Sequence, residues 1–173
     1  LAHMANLHGG NPELLTAVME INAQQRVHVI RKLEDILGTL DGKIIGLLGL
    51  AFKQNTDDMR DAPSQTVADY INERGGTVRG YDPAAMPNAK EMMPFIEMTK
   101  DSYDLAEGCD AVVILAPWNE FKHLDLERIR NSMRTPVIID ARNMYDPQTI
   151  RDMGFEYRGV GRGYSSSLLP NGI

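Results

Sequence analysis

Residues 43–75, "KIIGLLGLAFKQNTDDMRDAPSQTVADYINERG", decide how the rest of the chain is read. Positions 43–49 form a short apolar run with the length of a strand, and "SQTVADYINERG" reads as a helix opened by Pro63 and capped by Ser64. Gly46 and Gly49 permit close backbone approach, but their spacing is not G-x-G-x-x-G, so they read as a strand packed against a helix rather than a pyrophosphate loop. About 14 residues separate strand from helix, a length usual only for functional or disordered loops. The density of turn and charged residues, Asp57, Asp58, Arg60 and Asp61 among them, points to order.

Working outward, further strands are expected at 77–81, 95–98, 110–115, 136–139 and 155–158. Helices or partial helices fall between them at "AAMPNAKEMM", "SYDLAEG", "DLERIRNSM" and "PQTIRDMG". "AVVIL" and "PVIID" are apolar on both faces, the mark of parallel strands covered on each side. The fold class is therefore α/β: a Rossmann-like, doubly wound parallel sheet preceded by a long helix. That helix, 11–37, carries Leu14, Leu15, Val18, Ile21, Val29, Leu33 and Ile36 at helical spacing, with Asn11 and Pro12 as cap and first turn. Its span of about 40 Å exceeds what a small domain needs. It is expected to pack on something outside this chain.

The formal charge of −6 argues against general nucleic-acid binding, so an anionic ligand would require a local basic site. The longest apolar runs are too short to span a bilayer, and the single Cys109 fits a reducing compartment; a cytoplasmic protein is expected. "LAHM" is an awkward native start and reads as a vector remnant, which makes the chain a piece of something longer. His3, His8, His28 and His123 show no metal-ligand spacing.

Ligands of such a sheet collect at the carboxyl ends of its strands. There, Lys53 follows apolar "LAF", placed either to meet phosphate or sugar oxygens or to be a solvated loop lysine. The charges at 57–61 are either a solvated run or an ion-pair network that presents Arg60. Asp82 stands where an acid often binds ribose, but before Pro83 it reads first as a turn residue. Phe121 reads as packing, while Trp118 and Asn119 stay open between stacking and packing. Arg142 follows a fully apolar strand and either grips a phosphate or carboxylate or pairs with Asp140 or Asp146; Asp140 can hold the loop. Cys109 lies at the opposite end of the sheet and reads as a small buried thiol.

"GLAFKQNTDDMRDAPS", "GYDP", "WNEFKHLD", "DARNMYDP" and "GFEYRGVGR", in that order, resemble the carboxyl-terminal domain of the UDP-glucose/GDP-mannose dehydrogenase family, the UDP-glucose type best, and the resemblance runs from about Asn11 to Arg162. The resemblance implies oxidation of UDP-glucose to UDP-glucuronate with two NAD, held mainly by an amino-terminal domain, through a thiohemiacetal on a cysteine. Between the tag remnant and lead-in (1–10) and an aperiodic stretch expected to be a loose tail (164–173), it divides the chain into the end of a central dimerisation helix (11–40) and a UDP-sugar-binding Rossmann-like domain (41–163). By position it makes Phe52, Lys53 and Arg142 substrate contacts and Arg60 a contact on the NAD side. The homodimer it implies forms through the helix. The sequence contains neither G-x-G-x-x-G nor the catalytic cysteine motif, and Cys109 does not match that cysteine, so no catalytic residue and no activity are expected of this chain alone. Another nucleotide sugar (GDP-mannose or a UDP-N-acetylhexosamine), or a non-catalytic nucleotide-binding module, is the alternative.

Overall fold

The computed structural model describes residues 13–161. The expected tag remnant, the Asn11–Pro12 helix start and the expected tail lie outside the described residues. Among the described residues six strands form one all-parallel sheet: β1 (Ile44–Leu48), β2 (Thr77–Tyr81), β3 (Glu97–Met98), β4 (Ala111–Ile114), β5 (Val137–Asp140) and β6 (Glu156–Gly159), in the order β3-β2-β1-β4-β5-β6. Six helices accompany them: α1 (Glu13–Leu37), α2 (Pro63–Glu73), α3 (Met86–Met92), α4 (Ser102–Ala106), α5 (Leu126–Ser132) and α6 (Pro147–Asp152). This strand order reverses direction between β1 and β4, which makes their carboxyl ends the topological switch point.

Alternation along each strand sorts the core into two layers. Ile45, Leu47, Val113 and Ile139 face α1 and α2, where they meet Val29, Ile30, Leu33, Val67 and Ile71. Leu48, Val112, Ile114 and Ile138 face the other way, onto Leu105 of α4, Ile129 of α5 and Ile150 of α6. Gly46 points to that second layer, where a Cβ would stand 2.3 Å from Leu105 Cδ2. Gly49 is constrained twice, by φ of +85° and by Ala116, whose Cβ would lie 2.6 Å from an added one. Both glycines serve packing, as their spacing implied.

α1 docks only its last turns. Val29, Ile30 and Leu33 are buried, while Leu14, Val18, Met19 and Ile21 stay 47–78% exposed. A helix of this length, about 37 Å, outruns the sheet it packs on.

Several expected boundaries change. β3 keeps only two residues of the expected four, because Ile96 N–H turns back to the Met93 carbonyl instead of entering the ladder. Ser64 is not a cap: Ala62 occupies that position, Pro63 opens α2, and the buried Ser64 hydroxyl donates instead to the Leu50 carbonyl at 2.5 Å. "NEFKH" forms an unanticipated 3₁₀ turn, Asn119–His123, which buries Phe121 in the second layer.

Candidate functional site

Register brings the strand ends together. Leu48 is level with Tyr81 and Ile114, and Ile114 with Asp140, so the residues after β1, β2, β4 and β5 emerge along one edge. Two buried aspartates organise them. Asp82 Oδ2 accepts from Leu50 N at 2.7 Å, Ala51 N at 3.1 Å and Trp118 Nε1 at 3.0 Å, and Oδ1 accepts from Ala84 N and Ala85 N, each at 2.9 Å. Asp140 accepts from Arg142 N at 3.0 Å on Oδ1, and from Met144 N at 2.7 Å, Tyr145 N at 3.1 Å and the Tyr157 hydroxyl at 2.8 Å on Oδ2. Asn143, at φ +52°, exchanges two hydrogen bonds with Val160 and ties the β5 loop to the end of β6.

Asp140 thus holds the loop, as expected, but Arg142 does not pair with it through the side chain. The Arg142 guanidinium turns the other way and donates Nε–H to the Leu115 carbonyl at 2.6 Å. Burial pulls its pKa below the usual guanidinium value. Among the described residues no carboxylate forms a salt bridge with it. It lines a half-open cleft of about 440 Å³. Phe52, itself 47% exposed, lies on the same cleft, above apolar Val67, Leu115, Ala141 and Val160. Asn22, Gln25 and Arg26 of α1 close its remaining side. Arg26 also donates to Thr66 Oγ1 at 3.1 Å and to the Asp61 carbonyl at 2.9 Å, fastening α1 to the far end of the β1–α2 loop.

That loop is ordered. Phe52 N–H donates to the Asp58 carbonyl at 2.9 Å, Asn88 Nδ2 donates to the Asp57 carbonyl at 3.0 Å, and Met59 and Ala62 are buried. Its charges form one pair rather than a network. Asp58 grips Arg60 through Nε (2.9 Å) and Nη2 (2.7 Å), and the hydrogen-bonded guanidinium lowers the Asp58 carboxyl to about 2. Arg60 remains 88% exposed and borders a separate open depression of about 580 Å³, with Thr56, Asn88, Glu91 and Met92.

The structure therefore brings Phe52 and Arg142 onto one cleft, sets Lys53 exposed beside Phe52 without a hydrogen-bond or salt-bridge partner among the described residues, and places Arg60 elsewhere. Asp82 is more than a turn residue, and Trp118 is neither free nor merely packed. The α1 residues of the cleft were not anticipated at all. Cys109 is buried, donates to the Leu105 carbonyl at 2.9 Å, and has its thiol pushed up to about 11 by burial. Among the described residues no group of three or more His, Cys, Asp or Glu could hold a metal ion, and no helix is long and apolar enough to cross a membrane.

A doubly wound parallel sheet with a partly apolar cleft and an arginine at its switch point defines a Rossmann-like, nucleotide-binding class of domain. The chain belongs to the UDP-glucose/GDP-mannose dehydrogenase family: residues 46–147, more than half of it, match that family's UDP binding domain. It is 36% identical over 163 residues to a UDP-glucose 6-dehydrogenase of Rhizobium meliloti (strain 1021), covering 94% of this chain and 37% of that protein. The solved UDP-glucose dehydrogenase of the hyperthermophilic archaeon Pyrobaculum islandicum superimposes with a TM-score of 0.73 at 29% identity, over 90% of this chain and 33% of the other. A UDP-D-ManNAc dehydrogenase from Pyrococcus horikoshii gives 0.62 at 34% identity, over 80% and 30%. The chain thus spans little more than a third of the length of the curated relatives it matches.

Proposed function

We propose that this chain is the part of an NAD-dependent UDP-glucose 6-dehydrogenase that closes over the nucleotide sugar. The observation that carries the reading is Arg142: a solvent-accessible guanidinium, anchored by Nε, free of any carboxylate among the described residues and set on a cleft with Phe52. A planar cation so placed suits a diphosphate, and the apolar floor and the exposed Phe52 ring suit the base or sugar. Lys53, one residue beyond Phe52, adds a mobile ammonium for a second oxygen. The family's UDP binding domain supports the ligand class, and the UDP-glucose 6-dehydrogenases among the relatives support the sugar.

Bound NAD would supply the hydride acceptor for oxidation of the sugar hydroxyl. The residues at the switch point do not fit its dinucleotide core. Gly46 and Gly49 serve packing, and Asp82, where a ribose-binding acid would stand, is consumed by five N–H donors. What this chain offers the cofactor is Arg60, exposed on its braced loop. The uncovered apolar stripe of α1 fits a homodimer contact, and the chain would act in the cytoplasm.

The chain alone is expected to generate no NADH from UDP-glucose, and NADH production by the purified chain overturns this division of labour. The 34% identity to a UDP-D-ManNAc dehydrogenase favours a second reading, the same chemistry on a UDP-N-acetylhexosamine. Competition of UDP-glucose and the N-acetylhexosamine nucleotide for the cleft separates the two.

A further inference from the structure

Asp82 is 1% exposed, and both its oxygens are saturated. A carboxylate has about four acceptor sites, and here five donors from three strand-end segments converge on one. Two of them, the Leu50 and Ala51 amides, belong to the residues immediately before Phe52 and Lys53. The carbonyl of Leu50 is held as well, by the Ser64 hydroxyl at 2.5 Å. Both peptide groups flanking Leu50 are therefore fixed by side chains from other elements, and Phe52 and Lys53 leave the sheet from a pinned point. The third segment is tied by Trp118, the chain's single tryptophan.

We infer that Asp82 is a positioning residue for nucleotide binding: it sets the exit angle of β1 so that Phe52 and Lys53 reach the ligand, at the expense of the ribose contact an acid here could otherwise make. The inference rests on the site proposed above. An asparagine cannot substitute, because its NH2 faces either the three donors on Oδ2 or the two on Oδ1, leaving buried amides opposed rather than accepted.

The test is isothermal titration of UDP into this chain and into Lys53→Ala, Asp82→Asn and the double variant, with thermal melts to establish folding. Lys53→Ala is expected to weaken binding about tenfold, Asp82→Asn at least tenfold, and the double variant no more than Asp82→Asn alone, because Lys53 is no longer delivered. A purely structural role would give additive losses. Should Asp82→Asn fail to fold, Trp118→Phe removes one donor from Oδ2 and leaves the four backbone bonds; it is expected to weaken UDP about threefold. Additive losses, unchanged affinity in Asp82→Asn, or wild-type affinity in Trp118→Phe overturn the inference and leave the site standing. Absence of UDP binding by the wild type, or an unaltered Lys53→Ala, overturns the site and this role with it.

Discussion

Replacing Arg142 separates a ligand-binding arginine from a structural one. The side chain donates one hydrogen bond within the domain, Nε–H to the Leu115 carbonyl, and a bond of that kind contributes about 1 kcal/mol net. Burial depresses its pKa, so the folded chain carries a desolvation cost that Arg142→Ala removes, offsetting part of that loss. Stability should fall by about 1 kcal/mol or less, a shift below about 0.5 M in the urea midpoint for a typical slope near 2 kcal/mol/M. Binding should respond far more. The Nη groups left free by the Leu115 contact would make charge-assisted hydrogen bonds to a diphosphate, worth about 1.5–3 kcal/mol each, and losing even one weakens UDP roughly 10- to 150-fold. Arg142→Lys should recover little, because an ammonium supplies neither the Nε anchor nor the fork. Titration calorimetry with UDP beside urea denaturation reads both quantities on the same samples. Wild-type affinity in Arg142→Ala, or a midpoint shift of several molar without any change in affinity, would refute the assignment of this guanidinium to the cleft's ligand.

Three further outcomes follow from geometry outside the cleft. Asp58 is held at about 2 by its hydrogen bonds to Arg60, against 3.8 ordinarily; a depressed carboxyl contributes stability above its unfolded value and loses it as pH falls through the folded one. The pair should therefore persist above about pH 4 and dissolve towards pH 2, and an NMR titration of the Asp58 carboxyl with a midpoint near 4 would show that the brace does not form in solution. Gly49→Ala meets both a left-handed φ and Ala116, so about 2–5 kcal/mol of destabilisation is expected in urea, and a loss under 0.5 kcal/mol contradicts the close approach. The Cys109 thiol, raised to about 11 by burial, should resist a disulfide reagent at pH 8 until denaturant is added, with rapid reaction of the native chain as the contrary result.

The sheet was legible because its evidence is local. "AVVI" and "VIID" are buried along their whole length, and six apolar runs separated by helical spacers leave few architectures open. β3 was overestimated because apolar letters do not show that Ile96 N–H closes a turn onto Met93 instead of joining the ladder. Phe52 was singled out only by the family resemblance, whereas the place of Arg142 on the cleft was legible for the same local reason, since it follows an apolar strand into the edge where ligands collect. Arg26 was not, because its bonds to residues 35 and 40 positions away exist only once α1 has crossed the sheet. Nor could Asp82 be aimed from the sequence; whether a strand-end carboxylate faces a ribose or its own loops is settled by Trp118, which arrives 36 residues later.

Arg60 shows what remains after local and distant constraints are both counted. Its guanidinium is paired two residues away, and it stands 88% exposed on a depression distinct from the Arg142 cleft. An ion pair in water is held weakly and is readily exchanged for another anion. The rigid parts of the loop are instead its ends, pinned by Asp82 at Leu50 and Ala51 and by Arg26 at Asp61. The proposed contact with NAD then requires only that Arg60 exchange Asp58 for a phosphate of the cofactor. The loop backbone, and with it Phe52 and Lys53, need not move.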